Sequence, residues 1–171
     1  MSIYNSGSVT VKVGSASVTG NNTDFSTYVS VNDLFRLTDK STFYEVAAIN
    51  NATSLTLTSR YADSNEQTAV TTEHIATTNS ATRVYSGTLD HTPVIQNYVV
   101  ITASNERYTD DGAGNLTGSP TGSGSVDYDT GAWSITQNAT YAASVNITAS
   151  YYYGNTLTAM PYQIVRDFTP H

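Results

Sequence analysis

The chain has 171 residues, only 12% of them charged, and its seven basic and fourteen acidic side chains give a net charge of −7. This acidic balance disfavours binding along a phosphate backbone, which needs clustered Lys and Arg. The absence of cysteine excludes a disulfide framework and a thiolate zinc site. A chain of this length fits one or two small domains that bury a core without such cross-links.

The first part of the chain alternates apolar with Ser or Thr side chains, beginning with the glycine-bounded residues 7–20. Such alternation is typical of half-buried strands. It predicts strands over residues 8–13, 16–20, 33–38, 43–49, 54–58 and 73–77. One helical turn is expected over residues 23–28, where Thr23 or Asp24 fits an N-cap. These elements favour a small β-barrel or β-sandwich over residues 1–80.

A second set of strands follows a polar stretch. Residues 62–69 are expected to form an exposed loop and residues 78–81 a linker. Further strands are predicted over residues 82–89, 98–103, 124–128, 132–137 and 145–153, with turn-rich sequence over 110–122 and a tight turn at 129–131. The sequence therefore predicts an all-β chain, with a β-sandwich over residues 81–154 as its second domain.

The alternation stops after Tyr153. Residues 155–171 contain spaced prolines and five large apolar side chains, which are Met160, Tyr162, Ile164, Val165 and Phe168. A free tail seldom leaves so much apolar surface in water. We predict an extended tail that docks through these five residues, either on its own chain or on a neighbour.

The segment Asp110–Asn115 is the strongest candidate for a metal site. Its carboxylates and amide surround a glycine, as in loops that bind hard cations, but no Glu follows at the spacing of an EF-hand. The competing interpretation is a Gly/Asx turn between strands, which we favour. No histidine spacing or nucleophile motif points to catalysis, so we expect neither a cofactor nor an enzyme.

The aromatic residues allow two interpretations. Trp133 with Tyr128, Tyr151, Tyr152 and Tyr153 could form a flat platform on which a sugar ring stacks. Alternatively, some of them face the core and the rest face a subunit contact. We favour the second interpretation.

Several stretches resemble structural proteins of tailed bacteriophages. They include Val31-Asn-Asp-Leu-Phe-Arg-Leu37, Ser86-Gly-Thr-Leu-Asp-His-Thr-Pro-Val94, Gly124-Ser-Val-Asp-Tyr-Asp-Thr-Gly-Ala-Trp-Ser-Ile135 and Tyr162-Gln-Ile-Val-Arg-Asp-Phe-Thr-Pro170. Together with similar stretches between them, they cover most of the chain. Modules of this kind occur in head decoration, neck, baseplate and fibre proteins. The resemblance carries over no catalytic residue.

The resemblance implies a non-enzymatic structural component of a tailed-phage virion. It would assemble on the capsid as a decoration or cement protein, or on the neck or tail. Its partners would be other virion proteins and copies of itself, with no nucleic acid and no membrane. The N-terminus lacks the basic region and apolar core of a signal peptide, so we expect synthesis in the host cytoplasm. The alternative is a carbohydrate-binding receptor-recognition module of a phage tail or fibre.

Overall fold

The computed structural model describes residues 2–166. Strands make up 52% of the chain and helix 4%, which confirms the all-β prediction. In chain order the elements are β1 (Ile3–Tyr4), β2 (Ser8–Lys12), β3 (Ser17–Asn21), α1 (Phe25–Tyr28), β4 (Leu34–Leu37), β5 (Tyr44–Asn51), β6 (Ser54–Leu57), β7 (Gln67–Thr77), β8 (Val84–Thr88), β9 (Val100–Ala103), β10 (Glu106–Asp110), β11 (Asn115–Ser119), β12 (Ser123–Val126), β13 (Ala132–Thr136), β14 (Asn146–Gly154), β15 (Thr156–Met160) and β16 (Tyr162–Val165). Among the described residues, no helix is long and apolar enough to cross a membrane.

The chain divides into two compact units. Unit 1 contains Met1–Ser64 and Asn155–His171, and unit 2 contains Asn65–Gly154. The sequence predicted a boundary between the two domains after residue 80. The structure places this boundary after Ser64. The reason is that β7 pairs along its length with β14 of unit 2 instead of closing the N-terminal set of strands.

Unit 1 contains one eight-stranded antiparallel sheet in the order β1-β16-β4-β5-β6-β3-β2-β15. Alternate side chains face its core, as Val9 and Val11 of β2 and Leu55 and Leu57 of β6 show. The predicted helical turn is present as α1, and Asp24 is its N-cap, with Oδ1 accepting from the backbone N of Thr27 at 3.3 Å. Hydrogen bonds from Thr27 and Ser26 lower the pKa of this carboxyl group.

Unit 2 contains a second eight-stranded sheet in the order β7-β14-β9-β10-β11-β12-β13-β8. Its strands enclose one core of aromatic and branched side chains, including Tyr108, Trp133, Ile135, Ile147 and Tyr151. Most of its neighbouring strands are joined by short turns. The unit therefore buries its apolar side chains on a single inner face.

Three strands of unit 2 lie wholly or partly in segments that the sequence did not predict as strands. β7 begins at Gln67, inside the expected loop, β10 covers Glu106–Asp110, for which no strand was predicted, and β11 lies inside the turn-rich segment. Gly118, whose low strand propensity kept β11 from being predicted, has a packing role. A Cβ at this position would lie 2.5 Å from the backbone oxygen of Thr121 and 2.8 Å from the ring of Tyr108. A residue that breaks a strand by propensity is required here by close packing.

The C-terminal segment is part of unit 1. β15 pairs with β2, Thr156 opposite Lys12, and β16 pairs with β4, with Ile164 opposite Phe35. Sequence reasoning assigned this segment no partner strand because Pro161 interrupts it. The structure accommodates the proline between the two strands, where no ladder hydrogen bond is required.

Candidate interaction surfaces

The five predicted docking residues do not form one surface. Tyr162, Ile164 and Val165 are buried, with 2%, 1% and 9% of their area exposed. Met160 is half-buried at the end of β15, and Phe168 lies outside the described residues. The buried residues belong to the core of unit 1, because β16 lies between β1 and β4 rather than at a sheet edge.

Tyr162 is the centre of an aromatic cluster in unit 1. Its ring centroid lies 6.0 Å from that of Phe25, 6.1 Å from that of Phe35 and 6.2 Å from that of Tyr4. Its hydroxyl donates to the backbone oxygen of Ser6 at 2.7 Å. Burial, with a smaller effect of the neighbouring Tyr4, raises the pKa of Tyr162. The cluster ties the C-terminal strand to the N-terminal part of the same unit.

The Asp110–Asn115 segment is a hydrogen-bonded turn. Asp111 Oδ1 accepts from the backbone N of Ala113 at 2.8 Å and of Asn115 at 3.1 Å, while Oδ2 accepts from the Asn115 side chain at 2.8 Å. These bonds lower the pKa of Asp111, the side-chain bond most. Within residues 2–166, no three His, Cys, Asp or Glu side chains cluster closely enough to hold a metal ion. The geometry matches the Asx-turn interpretation.

Asp110 connects this turn to the core of unit 2. Its Oδ1 accepts from the hydroxyl of Tyr128 at 2.6 Å and from the backbone N of Gly112 at 2.9 Å. Its Oδ2 accepts from the backbone N of Asn97 at 2.7 Å. Burial and the bond to Asp110 raise the pKa of Tyr128. The two carboxylate oxygens of Asp110 thus link the end of β10 to the segments that contain Asn97 and Tyr128.

Sequence reasoning missed the most deeply buried acid. Glu106 is fully buried and accepts hydrogen bonds from the hydroxyls of Tyr108 and Tyr141 and from the backbone N of Asn138. The Tyr141 and Asn138 bonds measure 2.7 and 2.9 Å. The signal available in the sequence was an isolated acid two residues before Tyr108, at the same-face spacing of a strand.

The aromatic residues considered as a sugar platform are mostly internal. Trp133, Tyr128 and Tyr151 are buried, and Tyr153 is half-buried. Only Tyr152 is exposed, and its ring meets the exposed ring of Tyr98 at 5.3 Å between centroids with 69° between the planes. An edge-to-face pair does not present one flat surface.

The exposed apolar side chains are spread over both units. In unit 1 they are Ile3, Tyr28, Val31 and Phe43, and in unit 2 they are Val84, Tyr98 and Tyr152. Some are already packed on one side, since Tyr28 stacks on Tyr4 at 5.1 Å and Phe43 lies under the guanidinium of Arg36. These residues are the described positions at which apolar contact with another molecule remains open.

The turn within the Gly124–Ile135 stretch is also held by local hydrogen bonds. Asp127 Oδ1 accepts from the backbone N of Asp129 and of Thr130, each at 2.9 Å. Gly131 has a φ of +72°, a conformation that favours glycine. The tight turn predicted between β12 and β13 is therefore present.

Comparison of the chain with protein-family models, with characterised proteins and with solved structures gives no match.

Proposed function

We propose that this chain is a non-enzymatic structural component of a tailed-phage virion. It binds the capsid as a decoration or cement protein, or binds the neck or tail, and it assembles with copies of itself. The proposal rests on the resemblance of the stretches quoted above. It is supported by what those stretches do in the fold, since their described residues, up to Arg166, form turns, ladders and core.

The structural observation that best supports the proposal is the way the acidic side chains are used. Asp110, Asp111, Glu106 and Asp127 all direct carboxylate oxygens at donors of their own unit. Glu73 does the same, accepting from the hydroxyl of Tyr151 and from a backbone N–H of residue 90. Carboxylates used in this way fix loops and strands, which suits a rigid building block.

A virion subunit needs only weak single contacts. Copies that sit side by side on a lattice bind with an avidity far above that of one contact. The exposed apolar residues of the two units are spaced singly or in pairs. Such a surface stays soluble before assembly and provides contacts after it.

The proposal is tested by reconstitution. Particles are prepared from cells in which the gene for this chain is deleted, and the purified chain is added back before sedimentation. We expect the chain to co-sediment with the particles and to saturate at a fixed ratio. A chain bearing exposed-residue substitutions Tyr98→Ala and Tyr152→Ala maps the contact, and the parent chain is its control. Absence of any saturable binding contradicts the proposal.

The second candidate, a carbohydrate-binding receptor module, rests on Tyr98 and Tyr152 and no longer on Trp133. Both rings are exposed, and they form an edge-to-face pair on unit 2 that a sugar could reach. A saccharide titration followed by Tyr fluorescence separates the two functions. Saturable quenching that Tyr98→Ala abolishes would favour the receptor module over the assembly subunit.

A further inference from the structure

Unit 2 is inserted into unit 1 rather than added at one end of the chain. Unit 1 consists of two stretches of chain, and unit 2 is the single stretch Asn65–Gly154 that separates them. The chain therefore passes from unit 1 to unit 2 after Ser64 and returns to unit 1 at Asn155. What holds the chain at these two crossings decides whether each unit can stay folded without the other.

Unit 1 fixes the chain just before the first crossing. The backbone N of Gly14 donates to the carbonyl of Tyr61 at 2.8 Å, and the backbone N of Tyr61 donates to the carbonyl of Ser15 at 2.8 Å. The Tyr61 side chain is buried, and its ring centroid lies 5.3 Å from that of Tyr44. The path of the chain up to Tyr61 is thus set by residues of unit 1.

Two further contacts hold the residues that follow Tyr61. The Tyr44 hydroxyl accepts a hydrogen bond from the backbone N of Ala62 at 3.0 Å and donates one to the carbonyl of Ala62 at 3.2 Å. The ammonium group of Lys40 lies 2.8 Å from a carboxylate oxygen of Asp63. All four residues belong to unit 1. We name Tyr44 and Lys40, together with the Ala62 and Asp63 that they bind, the exit clamp.

Unit 1 takes the chain back close to the point at which it leaves. The backbone N of Val13 donates to the carbonyl of Asn155 at 3.1 Å, and the N–H of the next residue, Gly14, binds Tyr61. The backbone N atoms of neighbouring residues are less than about 4 Å apart. The carbonyl oxygens of Tyr61 and Asn155 therefore lie within about 10 Å of each other.

Unit 2 holds the two ends of its own stretch side by side. Gln67 at the start of β7 is the Cα partner of Gly154 at the end of β14, and such partners lie about 5 Å apart. The backbone N of Gly154 donates to the carbonyl of Pro93 at 3.1 Å, and Tyr153 forms a β-bridge with Val94. Both ends of unit 2 are thus fixed by contacts within unit 2.

We propose that unit 2 is an inserted domain that unfolds and refolds without opening unit 1. Neighbouring ends, each fixed by its own unit, are the arrangement in which one domain tolerates the insertion of another. The exit clamp and the bond from Val13 to Asn155 stop a loss of structure in unit 2 from spreading into unit 1. A surface of unit 1 therefore stays intact for binding while unit 2 is open. This inference concerns the folding of the chain and does not rest on the proposed virion role.

The full chain contains a separate reporter for each unit. Trp133 is the only tryptophan and lies in the core of unit 2, so its fluorescence follows unit 2. Hydrogen exchange of the backbone amides of β2 and β6, measured by mass spectrometry, follows unit 1. Ile147→Ala removes a fully buried side chain from unit 2, and Leu55→Ala is the matched change in unit 1.

We expect each substitution to move only the reporter of its own unit. Ile147→Ala should lower the urea midpoint of Trp133 fluorescence and leave the exchange of β2 and β6 within about twofold of the parent. Leu55→Ala should leave that midpoint unchanged and raise the exchange of β2 and β6 at least about tenfold, because a core cavity destabilises the unit that contains it. If either substitution moves both reporters equally, the chain unfolds as one body and the inference is wrong.

The exit clamp is tested by Tyr44→Phe, which keeps the ring beside Tyr61 and removes both hydrogen bonds to Ala62. Tyr28→Phe, at an exposed tyrosine of unit 1, is the matched control. Each is combined with Ile147→Ala, and unit 2 is then opened in moderate urea. We expect this opening to raise the exchange of residues 57–62 at least about fivefold in the Tyr44→Phe chain and to leave it unchanged in the control. Equal exchange in the two chains would show that the clamp does not insulate unit 1 and would overturn this part of the inference.

Discussion

The hydroxyl of Tyr162 donates a hydrogen bond of 2.7 Å to the backbone oxygen of Ser6, a residue 156 positions earlier in the chain. This bond joins the C-terminal and N-terminal segments of unit 1, in which β16 pairs with both β1 and β4. The C-terminal segment is thus a structural part of the N-terminal unit. Unit 1 is complete only when the strands β1–β6 and the strands β15 and β16 are all present.

Truncation after Asn155 is therefore expected to unfold unit 1. It removes β15 and β16, and with them the buried side chains of Tyr162, Ile164 and Val165. Each such loss costs about 2–5 kcal/mol, against a total stability of about 5–15 kcal/mol for a domain. Limited proteolysis followed by mass spectrometry should show unit 1 digested and residues 65–154 protected.

The matched control is a chain that ends at Arg166 and keeps both strands. We expect it to resist proteolysis as the full chain does in unit 1. If the chain truncated after Asn155 keeps an undigested unit 1, the assignment of β15 and β16 to its core is wrong.

Glu106→Gln tests the buried acid of unit 2. The amide replaces one carboxylate oxygen with an NH₂ group, which cannot accept from Tyr108, Tyr141 or the backbone N of Asn138. Hydrogen bonds to a charged group contribute about 1.5–3 kcal/mol each, so we expect a loss of about 3 kcal/mol in urea unfolding. Glu45→Gln, at an exposed position of β5, should change stability by less than about 0.5 kcal/mol. If the two substitutions lower the free energy of unfolding equally, the hydrogen bonds of Glu106 stabilise the fold no more than an exposed glutamate does.

The sequence predicted most strands of both units because the alternation of Val, Leu and Ile with Ser and Thr reports directly on which face is buried. It failed where a local signal and a distant contact disagreed. Gly118 is typical of a turn by its sequence, yet it lies in β11, where the backbone oxygen of Thr121 and the ring of Tyr108 leave no room for a Cβ. Pro161 reads as the end of regular structure, yet strands precede and follow it.

The candidate sites were less predictable than the fold. Asp110 and Asp111 were identified correctly as a turn, since an Asx–Gly sequence folds on local hydrogen bonds. Glu106 was missed, because its partners Asn138 and Tyr141 lie more than thirty positions away. The sequence left open whether the segment that contains Tyr162 and Ile164 docks on its own chain or on a neighbour, because a sequence shows how apolar a segment is and not which strands it lies between.

Alkaline pH should destabilise the protein. Burial, followed in each case by a hydrogen bond to a carboxylate, raises the pKa of Tyr108, Tyr128 and Tyr151 above the ordinary value of 10.0. A raised folded-state pKa means that this stabilisation is complete below about pH 10 and is lost as the pH rises through the folded-state value. The urea midpoint should therefore be lower at about pH 11 than at about pH 8. A midpoint that is constant or higher at the alkaline pH would contradict this assignment.

Calcium should leave the stability of unit 2 unchanged. The oxygens of Asp110 and Asp111 accept hydrogen bonds from Tyr128, Asn115 and nearby backbone N–H groups, so a cation would have to displace these donors. We expect equal melting temperatures in calcium and in EDTA. A clear rise with calcium that Asp111→Asn abolishes would revive the loop as a metal site.

The presence of this chain in assembled particles tests the central proposal most directly. Quantitative mass spectrometry is applied to gradient-purified particles from cells that express the chain, with the unassembled fraction measured beside them. The account predicts that the chain sediments with the particles, in several copies per particle and in a fixed ratio to the capsid subunit. Complete particles that lack the chain, with all of it left in the unassembled fraction, would contradict a structural role in the virion.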